Sequence, residues 1–137
     1  MANTESPQRI SISFDDELKA HVFRFSGEAP VSEMLEELRK IYQQHDVPKP
    51  LNLLFVDAGL TRHITRGEIV SAMDFARRNR PDCPGRTALV GPSDLSFGTF
   101  RMVEGAAGEF SRHIRVFRST EEAARWIALG EASSGVA

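Results

Sequence analysis

The sequence predicts a single α/β domain with a mostly parallel sheet and helices packed against it, in the order β-β-α-β-α-β-α-β-α. Three observations carry that expectation. Apolar residues alternate near the start of the chain with the period of a half-buried strand. Three later amphipathic segments follow a 3.6-residue period. Between and after them lie short apolar runs bounded by Pro, Gly or capping residues, as buried strands require. A strand–helix–strand repeat needs right-handed crossovers, and these make a parallel sheet.

The elements follow in order. Residues 1 to 8 are polar, include Pro7 and lack periodicity, so they read as a flexible N-terminus. Ile10, Ile12 and Phe14 alternate with Ser11 and Ser13, giving a strand from Ile10 to Phe14 that Asp15, Asp16 and Glu17 interrupt. Leu18 to Phe25 is a second strand and the two make a hairpin, stopped by Ser26, Gly27 and Pro30. Val31, Met34, Leu35, Leu38, Ile41 and Tyr42 then form the apolar face of a helix ending near His45. Pro48 and Pro50 precede Leu51 to Val56, a central strand covered on both faces. Thr65 with Glu68 spells a capping box. It opens a helix whose buried stripe is Ile69, Ala72, Met73 and Ala76, closed by Arg77, Arg78 and Arg80. Thr87 to Val90 is a strand ended by Gly91 and Pro92, and Ser93 caps a third helix running to about Glu109. Ile114 to Phe117 is the last strand. Ser119 with Glu122 caps a final helix that buries Ala123, Trp126 and Ile127 and ends at Gly130, so the folded unit spans residues 9 to 130 and residues 131 to 137 form a flexible C-terminus.

Composition narrows the function. The 137 residues carry 17 Lys+Arg and 19 Asp+Glu, a formal net charge of -2, so no basic field recruits nucleic acid. Arg77, Arg78 and Arg80 are the one basic cluster, and a helix C-terminus favours cations without any partner. No apolar run approaches the roughly 20 residues of a membrane span, and the polar start lacks a signal peptide's apolar stretch, so a cytoplasmic protein with no integral membrane segment is expected. Cys83 stands alone as an incidental thiol. His21, His45, His63 and His113 are scattered without ligand spacing, and no metal site is expected. Neither a dinucleotide nor a nucleoside triphosphate fingerprint occurs, so no cofactor is expected.

Acidic residues Asp15 and Asp16, the strand-end Asp57 and Thr87 have the order of a phosphoacceptor site, but the pair lies in a hairpin turn and no lysine follows the last strand, so that chemistry is rejected. Ser93 lacks the flanking glycines of a hydrolase nucleophile elbow, and no residue receives a catalytic role. The segment Asp57 to His63 follows the central strand and leads into a helix N-terminus, where Thr61, Arg62 and His63 offer a hydroxyl, a guanidinium and an imidazole to an anion. Turn and capping needs account for the same residues. Ser93 and Asp94 follow the neighbouring strand, and sequential parallel strands bring both segments to one sheet edge. Asp57, Thr61, Arg62, His63, Ser93 and Asp94 are therefore the candidate ligand- or partner-binding residues. Phe97, Phe100 and Met102 offer apolar surface for a small ligand or a second subunit, beside an ordinary role in the core.

Thr87-Ala-Leu-Val-Gly-Pro-Ser-Asp94, and Ile114-Arg-Val-Phe-Arg-Ser-Thr-Glu-Glu-Ala-Ala-Arg-Trp-Ile127 with its closing strand and helix, resemble the SpoIIAA-like family of STAS/SEC14-type domains. The resemblance implies a compact SpoIIAA/STAS-like domain acting without catalysis as a regulatory or protein-binding module. In anti-sigma factor antagonists of this type a serine in an Asp-Ser-x-Gly-like loop is phosphorylated. Asp57-Ala58-Gly59-Leu60 stands at the comparable place, with Ala58 supplying no hydroxyl and Thr61 the near substitute. The SEC14 side implies instead a small apolar or lipid ligand held between helices and sheet. A protein partner or a homodimer is expected in either case.

Overall fold

The computed structural model describes residues 9–44, 50–79 and 84–134. Strand β1 (Ile10–Asp15) pairs antiparallel with β2 (Ala20–Gly27), aligning Ile12 with Phe23 and Asp15 with Ala20. The Asp15 carboxylate accepts hydrogen bonds from Glu17 N and Leu18 N at 3.0 Å each, and Lys19 adopts a φ of 54°. This side-chain-closed turn takes up residues 16–19, so the second strand starts at Ala20 rather than at Leu18 and runs on to Gly27.

Helix α1 (Val31–Tyr42), strand β3 (Leu51–Leu60), helix α2 (Arg66–Arg78), strand β4 (Pro84–Val90), helix α3 (Asp94–Ala106), strand β5 (Ile114–Phe117) and helix α4 (Thr120–Ser134) follow. The predicted element order holds, with a short 3-10 helix (Gly108–His113) added before β5. α1 ends at Tyr42; the expected terminus near His45 lies outside the described residues, as do Arg80 and Cys83. α3 stops at Ala106 rather than near Glu109, because Gly108 turns the chain with a φ of 57°.

The sheet order is β1-β2-β3-β4-β5, with β2 to β5 parallel. Right-handed crossovers between neighbouring parallel strands put every crossover helix on the same side. Accordingly Leu38 and Ile41 of α1 and Phe100 of α3 share one core with Phe23, Phe25, Leu53, Phe55 and Leu89, while Ile69 and Met73 of α2 are buried on that side as well. The other face is covered by α4, whose Ala123 and Ile127 bury Val22, Leu54, Val56, Ala88 and Val90. α4 is bolted on by Arg86, which donates to the Trp126 carbonyl at 2.7 Å and stacks over the indole ring. One polar residue sits inside the apolar β3 run. Asn52, 3% exposed, donates to Leu18 O at 3.2 Å and accepts from Arg86 N at 2.9 Å, tying the hairpin turn to β4.

Candidate functional site

The register Val56↔Val90 sets the segments that follow β3 and β4 side by side at the C-terminal edge of the sheet. There a shallow cleft of about 50 Å³ is lined by Asp57, Arg62, His63 and Ser93, with Leu60 and Ser96 beneath them. Four of the six residues singled out for binding thus come together, while Thr61 and Asp94 are exposed beside the cleft without lining it.

Local structure explains most of these side chains. Asp57 lies within β3, which continues four residues past Val56, and its carboxylate accepts from Gly59 N at 2.9 Å and Leu60 N at 2.7 Å. Gly59, at a φ of 125°, permits that bend, and Thr61 N then donates to Gly27 O at 2.8 Å. Arg62 is not a free anion receptor. Its guanidinium donates to Glu68 Oε2 at 2.6 Å and to the Ala29 carbonyl at 3.4 Å, clasping the β2–α1 turn to the first turn of α2. Glu68 also closes the capping box by accepting from Thr65 N. Partial burial raises its carboxyl, but the hydrogen bonds from Thr65 and Arg62 outweigh that and leave it below the ordinary carboxylate range.

Ser93 caps α3: its Oγ accepts from Ser96 N at 3.0 Å and lies 2.9 Å from Ser96 Oγ, an arrangement of helix capping rather than of a nucleophile held by a base. Asp94 accepts from Arg118 at 2.8 Å, and that guanidinium stacks 4.3 Å from the centre of the Phe97 ring. Phe97, Phe100 and Met102 do not form one surface. Phe100 is buried in the core, Phe97 is half-buried beneath Arg118, and Met102 is exposed on the outer side of α3.

A larger space opens inside the helical layer. A cavity of about 160 Å³ lies between α1, α2, α3 and the sheet, and it extends from Ala29 and Val31 at one end of α1 to Tyr42 at the other. Met34 and Leu38 line it from α1, Ala72 and Ala76 from α2, and Leu53 and Phe55 from the sheet. The polar residues of its lining are Tyr42, Glu68 and Thr87. Burial pushes the Tyr42 hydroxyl up to about 12, so it stays protonated, and its ring stacks on Phe75. Sequence periodicity assigned these residues to an ordinary core. The available signal was the pair of alanines on the inner stripe of α2, which fills less space than Leu or Ile at the same positions.

Among the described residues, no group of three His, Cys, Asp or Glu side chains is placed to hold a metal ion, and no helix is long and apolar enough to cross a membrane. One titratable group stands apart from the cleft. His21 Nδ1 is buried with no hydrogen-bond partner among the described residues, its ring meets Phe14 edge-on, and desolvation lowers its pKa.

Comparison with solved structures then places the architecture. The chain superimposes on an anti-sigma-factor antagonist (STAS) domain protein from Planctomyces limnophilus with a TM-score of 0.56, covering 87% of this chain and 97% of that one at 15% identity. The chain has a STAS fold. No protein-family model matches it, and no curated protein does. Within the STAS fold the cleft occupies the edge where β3 and β4 end, and the cavity occupies the three-helix face.

Proposed function

We propose that the protein is a non-catalytic regulatory module of the cytoplasm that docks a protein partner, or a second copy of itself, at the C-terminal edge of its sheet. The observation that carries this reading is the convergence of Asp57, Arg62, His63 and Ser93 on one shallow cleft, rimmed by Leu95, which is 60% exposed. A large apolar side chain beside exposed polar groups suits a small interface better than a reaction centre. The STAS fold supports the reading, since the similar solved structure is described as an anti-sigma-factor antagonist domain. The test compares wild type with Leu95→Glu and His63→Ala for self-association by sedimentation and for retention of partners captured at equal bait density. An interaction weakened by both cleft changes and untouched by Arg78→Ala supports the assignment; one indifferent to the cleft changes moves the interface elsewhere.

A second reading, that of a small apolar-ligand or lipid-binding module in the SEC14-like manner, draws on the cavity of about 160 Å³. Its lining is almost wholly apolar, and a space of about 150 Å³ is large enough to admit benzene. Native mass spectrometry of protein purified without added ligand tests it: a noncovalent adduct of lipid or smaller mass supports the reading. Empty protein that also fails to take up a small apolar probe refutes it.

A further inference from the structure

The cleft and the cavity share walls. Leu60, Ile64 and Phe100 each line both spaces. Arg62 bridges them as well, because it lines the cleft while its two partners, the Ala29 carbonyl and the Glu68 carboxylate, belong to residues that line the cavity. Three apolar side chains and one clasp therefore stand between an apolar pocket, itself partly open to solvent, and the edge where partner docking is proposed.

The chemistry of the cavity selects its occupant. Glu68 is the one charged side chain in the lining, and Arg62 already neutralises it. A charged ligand would leave water without an unpaired counter-charge to meet it, whereas a neutral molecule meets a lining that is apolar apart from Glu68, Thr87 and Tyr42. The volume matches a single ring or a short branched chain. An occupant that favours one arrangement of Leu60, Ile64 and Phe100 necessarily biases the cleft that the same side chains wall.

We infer that the cavity is an effector site for a small neutral apolar molecule, and that its occupancy is transmitted to the edge cleft through Leu60, Ile64 and Phe100. The inference rests on the apolar-ligand reading and adds to it the class of ligand and its regulatory consequence.

Benzene is the probe, titrated into the full chain labelled at methyl and amide positions and followed by NMR. Methyl groups of Met34 and Leu38 report the cavity, and the amides of His63, Ser93 and Leu95 report the cleft. Saturable shifts in both sets with the same half-saturation point are expected. Ala76→Leu should abolish both, and Ile64→Ala should uncouple them, leaving the methyl response saturable and shrinking that of the amides. Methyl shifts that never saturate overturn the ligand reading and the inference together. Saturating methyl shifts with unmoved cleft amides overturn the transmission alone and leave the ligand reading standing. The wild-type titration decides between these outcomes even if a variant fails to fold.

Discussion

Filling the cavity from α2 should stabilise the protein. Ala76 lines the space and is partly buried, so Ala76→Leu adds three carbon groups to a volume of about 160 Å³ at a helix position where leucine is well tolerated. At about 0.8 kcal/mol per buried methylene the added groups are worth about 2.4 kcal/mol, and imperfect fit typically takes back 1 kcal/mol or more. The net expectation is about 1 kcal/mol of added stability. For a chain of this length 1 kcal/mol corresponds to a melting temperature higher by about 4 °C. Thermal unfolding by circular dichroism, paired with urea titration, measures it. A variant less stable than wild type by about 1 kcal/mol or more would show the helices already closed on one another, refuting the assignment of open space beneath α2.

Three further outcomes are expected. Ile127, 1% exposed and set against Leu54 and Val90 on the α4 face, should cost about 3 kcal/mol when changed to Ala, read as a lower urea midpoint at unchanged slope. Asn52→Ala removes the partner of Arg86 N and Leu18 O, both on half-buried residues, and should cost about 1 to 2 kcal/mol in the same assay, whereas a loss within 0.5 kcal/mol (roughly the neutral range) would mean the bridge adds nothing. The Glu68 carboxyl lies below its ordinary value of 4.5 in the folded chain, so its contribution is present above that pH and is lost as pH falls through the lower folded value. Glu68→Gln should therefore be less stable than wild type at pH 7, with the gap closing in acid; a gap independent of pH would assign the loss to capping geometry instead of charge.

The element order and two helix starts were legible because their causes are local. Thr65 and Glu68 form both halves of a capping box from one turn of sequence, and Ser93 caps α3 as its position after Gly91 and Pro92 implied. Gly91 has a reason that sequence alone does not reveal: a Cβ there would stand 2.6 Å from Phe97 N, so glycine lets α3 start tightly against β4. The extension of β3 through Asp57, Ala58 and Gly59 was illegible, since those residues are poor strand formers. Asp57 stays paired with Phe25, Ala58 and Gly59 bulge out of the register with the Asp57 carboxylate capping the bend, and the chain then rejoins β2 at Gly27↔Leu60. The candidate site divides in the same way. Topology brought Asp57, Arg62, His63 and Ser93 to one edge, as parallel strands dictate, but the engagement of Arg62 by Glu68 and Ala29 depends on three segments meeting.

The cavity belongs with what only the assembled topology can produce. A monotonic strand order places three helices on one face and leaves the other to α4. Alone on its face, α4 settles close to the strands, with Ala123 fully buried against them. α1, α2 and α3 instead share the width of four parallel strands. Ala72 and Ala76 on α2 line the space left between these helices and the sheet. The side chains that close it at the C-terminal edge, Leu60, Ile64 and Phe100, come from the end of β3, the turn into α2 and the middle of α3. Those segments also supply the cleft. An occupant of a pocket bounded by such segments would touch side chains that also wall the cleft, and this shared wall is the physical basis of the coupling proposed above.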